Sequence, residues 1–133
     1  YSAEVLFRWS ADRRATLATA AALARRALAI DPNDLVALKS LAGAQMFDGD
    51  LEGAMQTSLR QLQINPSDAN ANRALAATLF FAGRWEETLR QLEIAERLNP
   101  LDNAHMDKVH SIAANALIAL GRYDEAIVRA RRQ

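Results

Sequence analysis

The chain contains no cysteine, which excludes a disulfide framework, a thiolate nucleophile and a cysteine-based zinc site. Basic and acidic residues balance at sixteen each, so no net field attracts nucleic acid or an anionic membrane. No apolar run approaches the roughly 20 residues that span a bilayer. These absences indicate a soluble segment without nucleic-acid or membrane partners, and they are compatible with a reducing, cytoplasmic compartment.

Aromatic residues are also scarce, with two Trp, two Tyr and four Phe among 133 residues, whereas alanine is abundant. Such a composition favours closely packed helices over sandwiches and barrels, which use β-branched and aromatic strands. The length is that of one domain with one continuous core or one short solenoid. The sequence therefore predicts a single all-α domain.

The motifs of common enzymes are missing as well. There is no glycine-rich phosphate loop, no Gly-x-Ser-x-Gly elbow and no His-Glu-x-x-His pair. His105 and His110 are five residues apart, a spacing that does not place both imidazoles on one helical face. We therefore predict no catalytic residues, no metal site and no cofactor in this segment, although a parent enzyme stays open.

Proline occurs three times, each time 34 residues after the last, and this regularity is the main signal in the sequence. A proline inside a helix costs about 3 kcal/mol, so the three mark helix ends. Each is followed two positions later by an aspartate that can cap the next helix. The proline and aspartate pairs are Pro32 and Asp34, Pro66 and Asp68, and Pro100 and Asp102.

Glycine marks a second break about half a unit after each proline, at Gly49, Gly83 and Gly121. Glycine adopts the left-handed conformation that ends many helices. A large apolar residue follows two positions later in every case, and an acid comes next. Each 34-residue unit is therefore predicted to contain two helices.

This pattern resembles the tetratricopeptide repeat, a helix-turn-helix unit of the same length. The positions of its first-helix signature are Leu38, Leu41, Ala42 and Gln45, then Asn72, Leu75, Ala76 and Leu79, then His110, Ala113, Ala114 and Leu117. The small residue of the second helix is Ala54 and Ala126, with Thr88 in the middle unit. The resemblance implies a right-handed α-α superhelix of antiparallel helix pairs.

The predicted units are 1–34, divergent or partial, then 35–68, 69–102 and 103–133, the last with one extra helical turn and a truncated end. In the first unit no glycine marks a turn. Ser10 and Asp12 predict the start of a helix that runs to Ile30, after a short helical piece that carries Val5, Leu6 and Trp9. The missing initiator methionine and the helical C-terminus predict that the segment was cut from a longer protein.

Members of this family bind partners on a concave face lined by the first helix of each repeat. The corresponding positions here are Val36, Lys39, Met46, Phe47, Asn70, Arg73, Ala77, Phe80, Phe81, Lys108, Ser111, Asn115 and Ile118. The resemblance predicts a mixed apolar and basic groove for an amphipathic helix or an extended peptide. Alternatively, one residue of each apolar pair, Met46 and Phe47 or Phe80 and Phe81, packs against its own second helix.

Some family members grip a terminal carboxylate with two lysines, two asparagines and an arginine. Lys39 and Lys108 match two of these positions. Gly43, Ala74 and Ile112 occupy the other three, which argues against such a clamp.

Three hypotheses follow. The leading one is a scaffold module that binds a protein or peptide. The second rests on two segments, Asn99 to Asp102 and Gly121 to Ile127. They resemble the repeats of bacterial nucleotide cyclases and winged-helix transcriptional regulators, and the resemblance implies a signalling arm for regulation or dimerisation. The third is a homodimer through exposed terminal helices, with Ile127, Val128 and Ala130 on the last flank.

Overall fold

The computed structural model describes residues 3–132, apart from the side chains of residues 6 and 7. Within that range the chain is built of helices joined by short turns, and it contains no strand. The helices are α1 (Ala3–Ile30), α2 (Leu35–Phe47), α3 (Leu51–Ile64), α4 (Ala69–Phe81), α5 (Trp85–Leu98), α6 (Asn103–Ala119) and α7 (Tyr123–Ala130). Each helix packs against the next one, and α4 also contacts α6.

The aspartate after each proline caps the following helix, as the sequence predicts. The Asp34 carboxylate accepts from the backbone N–H of Ala37 at 3.1 Å. The equivalent bonds from the N–H groups of Ala71 and His105 to Asp68 and Asp102 are 3.0 Å long. These bonds satisfy N–H groups that have no partner inside the helix, and so they fix the first residues of α2, α4 and α6.

The three turn glycines have positive φ values of 82°, 78° and 77°, at Gly49, Gly83 and Gly121. At the first of them, the Gly49 N–H donates to the Met46 carbonyl and the Asp50 N–H donates to the Gln45 carbonyl. This bonding pattern closes the last helical turn and requires the left-handed conformation that glycine adopts without strain. The chain therefore reverses after α2, α4 and α6 as predicted.

The first unit differs from the prediction. Ser10 and Asp12 do not start a helix, because α1 is continuous from Ala3 to Ile30. No proline or glycine occurs before Pro32 to interrupt it. The Thr16 and Thr19 hydroxyls donate to carbonyls four residues earlier, so they are accommodated within the helix. The separate N-terminal piece expected to carry Val5 and Trp9 is therefore the first part of α1.

The first helices of the three pairs differ in length. Helices α2 and α4 each have 13 residues, and α6 has 17. Four residues amount to about one helical turn, roughly 5.4 Å. Helix α6 is therefore longer than α2 and α4 by about one turn.

The buried core changes in composition along the chain. Between α1 and α2 it consists of four alanines and Leu41, with Leu17 and Leu28 packed at its edge. Further along, Leu92 and Val109 are fully buried among alanines of α4, α5 and α6. Thr88 is also fully buried, and its hydroxyl donates to the Arg84 carbonyl at 2.9 Å. The most deeply buried large side chains therefore lie in the C-terminal half.

Candidate functional site

Two adjoining cavities run across α2, α4 and α6, and together they form what we call the inner groove. Their volumes are about 460 Å³ and about 330 Å³. Both are lined by Met46, Arg73, Ala74 and Lys108, so one cavity continues into the other. The inner groove is therefore a surface shared by three helices of three successive pairs.

Seven of the thirteen sequence-predicted residues line the inner groove. They are Lys39, Met46, Asn70, Arg73, Ala77, Lys108 and Ser111. The other six do not line it: Val36, Phe47, Phe80, Phe81, Asn115 and Ile118. All of those six except Phe80 are exposed, and Phe80 is half-buried.

Three cations from three helices face the inner groove: Lys39 of α2, Arg73 of α4 and Lys108 of α6. No carboxylate among residues 3–132 forms an ion pair with any of them. The one acid in the lining, Asp68, is engaged as the N-cap of α4. The groove is therefore positively charged although the chain as a whole is neutral.

A buried histidine holds Arg73 in place. The Arg73 Nη1 lies 2.8 Å from His105 Nδ1, and His105 Nε2 lies 3.0 Å from the Ala95 carbonyl oxygen. Since a carbonyl only accepts, Nε2 carries the proton and Nδ1 accepts from the guanidinium. Burial lowers the pKa of Arg73 and the nearby Asp102 carboxylate opposes that shift, but the group stays charged. His105 thus connects α6 to both α4 and α5.

Two residues of the second helix α3 also line the groove, and the sequence reasoning missed them. Ser58 is 1% exposed and its hydroxyl has no hydrogen-bond partner among the described residues. Gln61 is buried beside it in the same lining. They occupy the positions of Leu92 and Ala95 in the next unit. Polar residues in a register that is apolar elsewhere were the signal that could have found them.

Some of the apolar residues expected in the groove line it, and others lie outside it. Met46 lines both cavities, and the Thr78 hydroxyl lies 3.6 Å from its sulfur. Phe80 and Phe81 contact each other edge to face, with ring centroids 5.4 Å apart. Phe47, Phe81 and Ile118 are exposed in the last turns of α2, α4 and α6. Only Met46 of the four large apolar candidates lines the groove itself.

His110 lies in a separate cluster between α5, α6 and α7. Its Nδ1 lies 3.0 Å from Arg129 Nη1, and Arg129 also pairs with Glu96. Burial lowers the pKa of His110, and the charge of Arg129 lowers it further. The imidazole is therefore neutral near pH 7 and accepts from the arginine.

Neither histidine belongs to a metal-binding arrangement. Over residues 3–132 no three His, Asp or Glu side chains come together in a geometry that would hold an ion. No helix within the same range is both long enough and apolar enough to span a bilayer.

Comparison with solved structures identifies the fold. The chain superposes on MamA MSR-1 with a TM-score of 0.72 at 22% identity, covering 87% of this chain and 64% of that one. MamA AMB-1 gives a TM-score of 0.68 at 24% identity, with 84% and 63% covered. A further MamA crystal structure gives 0.73 at 16% identity, with 86% and 61% covered.

The chain thus spans less than two thirds of each of these three structures. No protein-family model matches it, and no curated protein is significantly similar to it. At these identities the likeness shows the fold alone. The chain has the all-helical, tetratricopeptide-type superhelix that its 34-residue spacing predicts.

Proposed function

We propose that the chain is a protein-interaction module that binds an acidic segment of a protein or peptide partner in the inner groove. The observation that carries this proposal is the convergence of Lys39, Arg73 and Lys108 without an ion-paired carboxylate. A tetratricopeptide-type fold, which presents a binding surface along its first helices, supports the same reading.

Electrostatics favours a carboxylate-bearing ligand over a neutral one. Three cations share one lining, and like charges held together in a concave surface are stabilised by a bound anion. A hydrogen bond to a charged group contributes about 1.5–3 kcal/mol to an interaction. Ser58 and Gln61 add buried polar groups to the lining of the larger cavity.

The apolar side chains restrict the ligand further. Met46, Ala77 and Ile112 line the smaller cavity next to Arg73 and Lys108. Phe81 and Ile118 are exposed at the C-terminal ends of α4 and α6. A ligand that fits both features has acids flanked by apolar residues, as in an extended peptide or one face of an amphipathic helix.

The proposal can be tested with a library of random linear peptides displayed on phage and selected on the wild-type chain. Enriched sequences should contain Asp or Glu next to apolar residues. A synthetic peptide of the enriched sequence should bind at least about 10-fold more weakly to Lys39→Glu, Arg73→Glu and Lys108→Glu variants, as measured by fluorescence anisotropy. Its affinity should also fall as the salt concentration rises.

The matched control reverses charges on α5, outside the inner groove. Arg90→Glu and Arg97→Glu change the net charge by the same amount as the groove variants but should leave affinity within about twofold. Enriched peptides without acids, or equal losses in groove and control variants, would contradict the proposal.

Three further points from the sequence stay predictions. They are that the segment is not an enzyme, acts in the cytoplasm and binds no nucleic acid. The signalling arm of a nucleotide cyclase or winged-helix regulator also stays a prediction, and no observation above favours it. Self-association through the terminal helices is our second proposal, supported by exposed apolar residues on both α1 and α7.

A further inference from the structure

The larger cavity of the inner groove is lined by two buried polar side chains of α3 that have no partner in the part of the chain that the structure describes. Gln61 is 4% exposed, and no described group forms a hydrogen bond with its side-chain amide. Ser58, which precedes it by about one turn, is 1% exposed and its hydroxyl is likewise unbonded. A buried polar group without a partner lowers stability. An occupant of the cavity that hydrogen-bonds to the Gln61 amide would remove part of that cost.

The next unit shows that the fold does not require polar residues at these positions. Leu92 and Ala95 lie 34 positions after Ser58 and Gln61, and both are fully buried in an apolar cluster. Apolar side chains at the same register therefore pack well in α5. The polar pair of α3 occurs where the lining is open, since a Cβ added at Gly43 would meet no atom within 4 Å.

The charge of the same cavity exceeds what one carboxylate balances. Lys39, Arg73 and Lys108 all line it, and within residues 3–132 none of them has an ion-paired acid. Asp102 acts on Arg73 through its charge, but its carboxylate caps α6. The lining acid Asp68 caps α4 in the same way. The cavity therefore favours a ligand group with more than one negative charge.

A phosphate monoester matches this cavity better than a carboxylate does. A carboxylate has one negative charge and two acceptor oxygens. A phosphorylated side chain has close to two negative charges at about pH 7.5 and three strong acceptor oxygens. Arginine and lysine are the side chains that most often bind phosphate, and the Gln61 amide adds a neutral N–H donor. One phosphate can thus accept from donors that belong to α2, α3, α4 and α6.

The size of the inner groove favours a phosphorylated polypeptide over a free phosphate ion. The larger cavity has a volume of about 460 Å³ and continues into one of about 330 Å³. The smaller cavity includes the apolar side chains Met46, Ala77 and Ile112. A free ion would use only the charged part, whereas a peptide also places apolar residues in the smaller cavity. The described lining of the larger cavity contains no aromatic residue for a phosphotyrosine ring to stack on.

We propose that the larger cavity binds a phosphorylated serine or threonine side chain of a protein partner. Lys39, Arg73 and Lys108 hold the phosphate, and the Gln61 amide donates to it. This inference rests on the proposed binding of an acidic segment in the inner groove, and it names the acidic group.

A selection from three degenerate peptide libraries tests the proposal. The centre is phosphoserine or phosphothreonine followed by alanine in the first library, two glutamates in the second, and unphosphorylated serine or threonine followed by alanine in the third. The immobilised chain selects from an equal mixture at about pH 7.5, and the retained peptides are identified by mass spectrometry. The most enriched sequence is then synthesised with each of the three centres.

The phosphorylated form should bind at least about 10-fold more tightly than the form with two glutamates, as measured by fluorescence anisotropy. The two forms carry nearly the same charge, so the difference reports the arrangement of the acceptor oxygens on one phosphate. The unphosphorylated form should bind most weakly. Inorganic phosphate should displace the phosphopeptide only at concentrations at least about 100-fold above the dissociation constant of the peptide.

Gln61→Met tests the position of the phosphate, because methionine has a similar length and no N–H donor. The affinity for the phosphorylated form should fall about 10-fold, whereas urea denaturation should show no loss of stability, since the variant removes an unpartnered buried amide. A residue with a merely structural role would show the opposite pattern. Gln63→Met is the matched control on the same helix, where the side chain is exposed and outside the lining, and it should change affinity by less than about twofold.

The outcomes separate this inference from the proposed function. Retention of no library, or equal binding of all three forms, would overturn both. Equal affinity for the phosphorylated form and the form with two glutamates would overturn the phosphate inference and leave the binding of an acidic segment standing. Inorganic phosphate that binds as tightly as the phosphopeptide would overturn the protein partner. A phosphate preference that survives Gln61→Met would overturn the placement of the phosphate beside Gln61.

Discussion

The N-terminal helix α1 and the three helix pairs that follow it differ at the position where each pair turns. Gly49 ends α2 with a φ of 82° and lets α3 fold back. The residue 34 positions earlier is Ala15, which lies inside the continuous helix α1. Alanine is the best helix former and disfavours the left-handed turn, so this stretch of chain continues straight where its counterpart reverses. A glycine thus lies at the turn of the hairpin, and an alanine lies 34 positions earlier inside the long helix.

The largest expected difference between the two regions concerns the core. Leu92→Ala should lower the free energy of unfolding by about 3 kcal/mol, because the side chain is fully buried in the C-terminal core. Leu17→Ala, at the edge of the alanine-rich core beside α1, should cost about 1 kcal/mol. Urea denaturation of both variants measures the two losses in unfolding free energy. Equal losses would show that α1 is packed as tightly as α5.

The turn glycines allow a sharper comparison. Gly83→Ala should lower the free energy of unfolding by about 1–2 kcal/mol, because φ is 78° and alanine disfavours that conformation. An added Cβ would meet no atom within 4 Å. The penalty is therefore conformational rather than steric crowding by neighbours. Ala15→Gly, the reverse change in α1, should cost about 1 kcal/mol as an ordinary mid-helix glycine. Denaturation curves report both values, and a stabilising Gly83→Ala would contradict the turn geometry.

Two aspartates that the sequence predicts at helix starts should respond differently. Asp34→Ala should cost about 1 kcal/mol, because it removes the cap of α2. Asp12→Ala should change stability by less than about 0.5 kcal/mol, because Asp12 lies exposed within α1 and caps nothing. Thermal unfolding monitored by circular dichroism distinguishes the two. A large effect at Asp12 would indicate that α1 breaks near that residue.

The smallest expected effect is a pH dependence of stability that arises from His110 in the last helix pair. Helix α1 has no histidine and so gives no such effect. The pKa of His110 is lower in the folded chain than its ordinary 6.5. As the pH falls through that ordinary value, the unfolded chain takes up a proton that the folded chain resists, so stability declines. The decline levels off once the pH is below the folded pKa.

His110→Asn should remove this contribution and flatten the wild-type slope between pH 7 and pH 5, as measured by urea denaturation. Glu96, Asp107, Arg129 and Arg132 face the same imidazole and remain in both proteins. The difference between the two slopes therefore isolates His110. A variant slope as steep as the wild type would contradict the assignment.

The sequence predicted the helix ends well because caps and turns are local. Asp34 and Gly49 determine their own surroundings through backbone hydrogen bonds within a few residues. The prediction was wrong at Ser10 and Asp12 because a capping residue starts a helix only where the preceding chain is not helical. Nothing before them forces the chain out of the helix.

The groove was less predictable because it depends on contacts between helices. The repeat register predicted that Lys39, Arg73 and Lys108 share one surface, and all three line the inner groove. The prediction considered only the first helices, so it missed Ser58 of α3 and the support of Arg73 by His105 from 32 positions away. Phe81, though in register, lies outside the lining, because a residue at a helix end can point away from the shared surface.

The bond between Arg73 and His105 has a consequence for ligand recognition. Ordering a long, flexible side chain at an interface costs about 0.5–1.5 kcal/mol. For Arg73 most of that entropy is lost when the protein folds, since the guanidinium is already fixed against the imidazole. Among the residues that the structure describes, Lys39 and Lys108 have no such bond, so the proposed ligand must order them itself. For the peptide binding proposed above, Arg73 is thus the preorganised anchor, and the two lysines adapt around it.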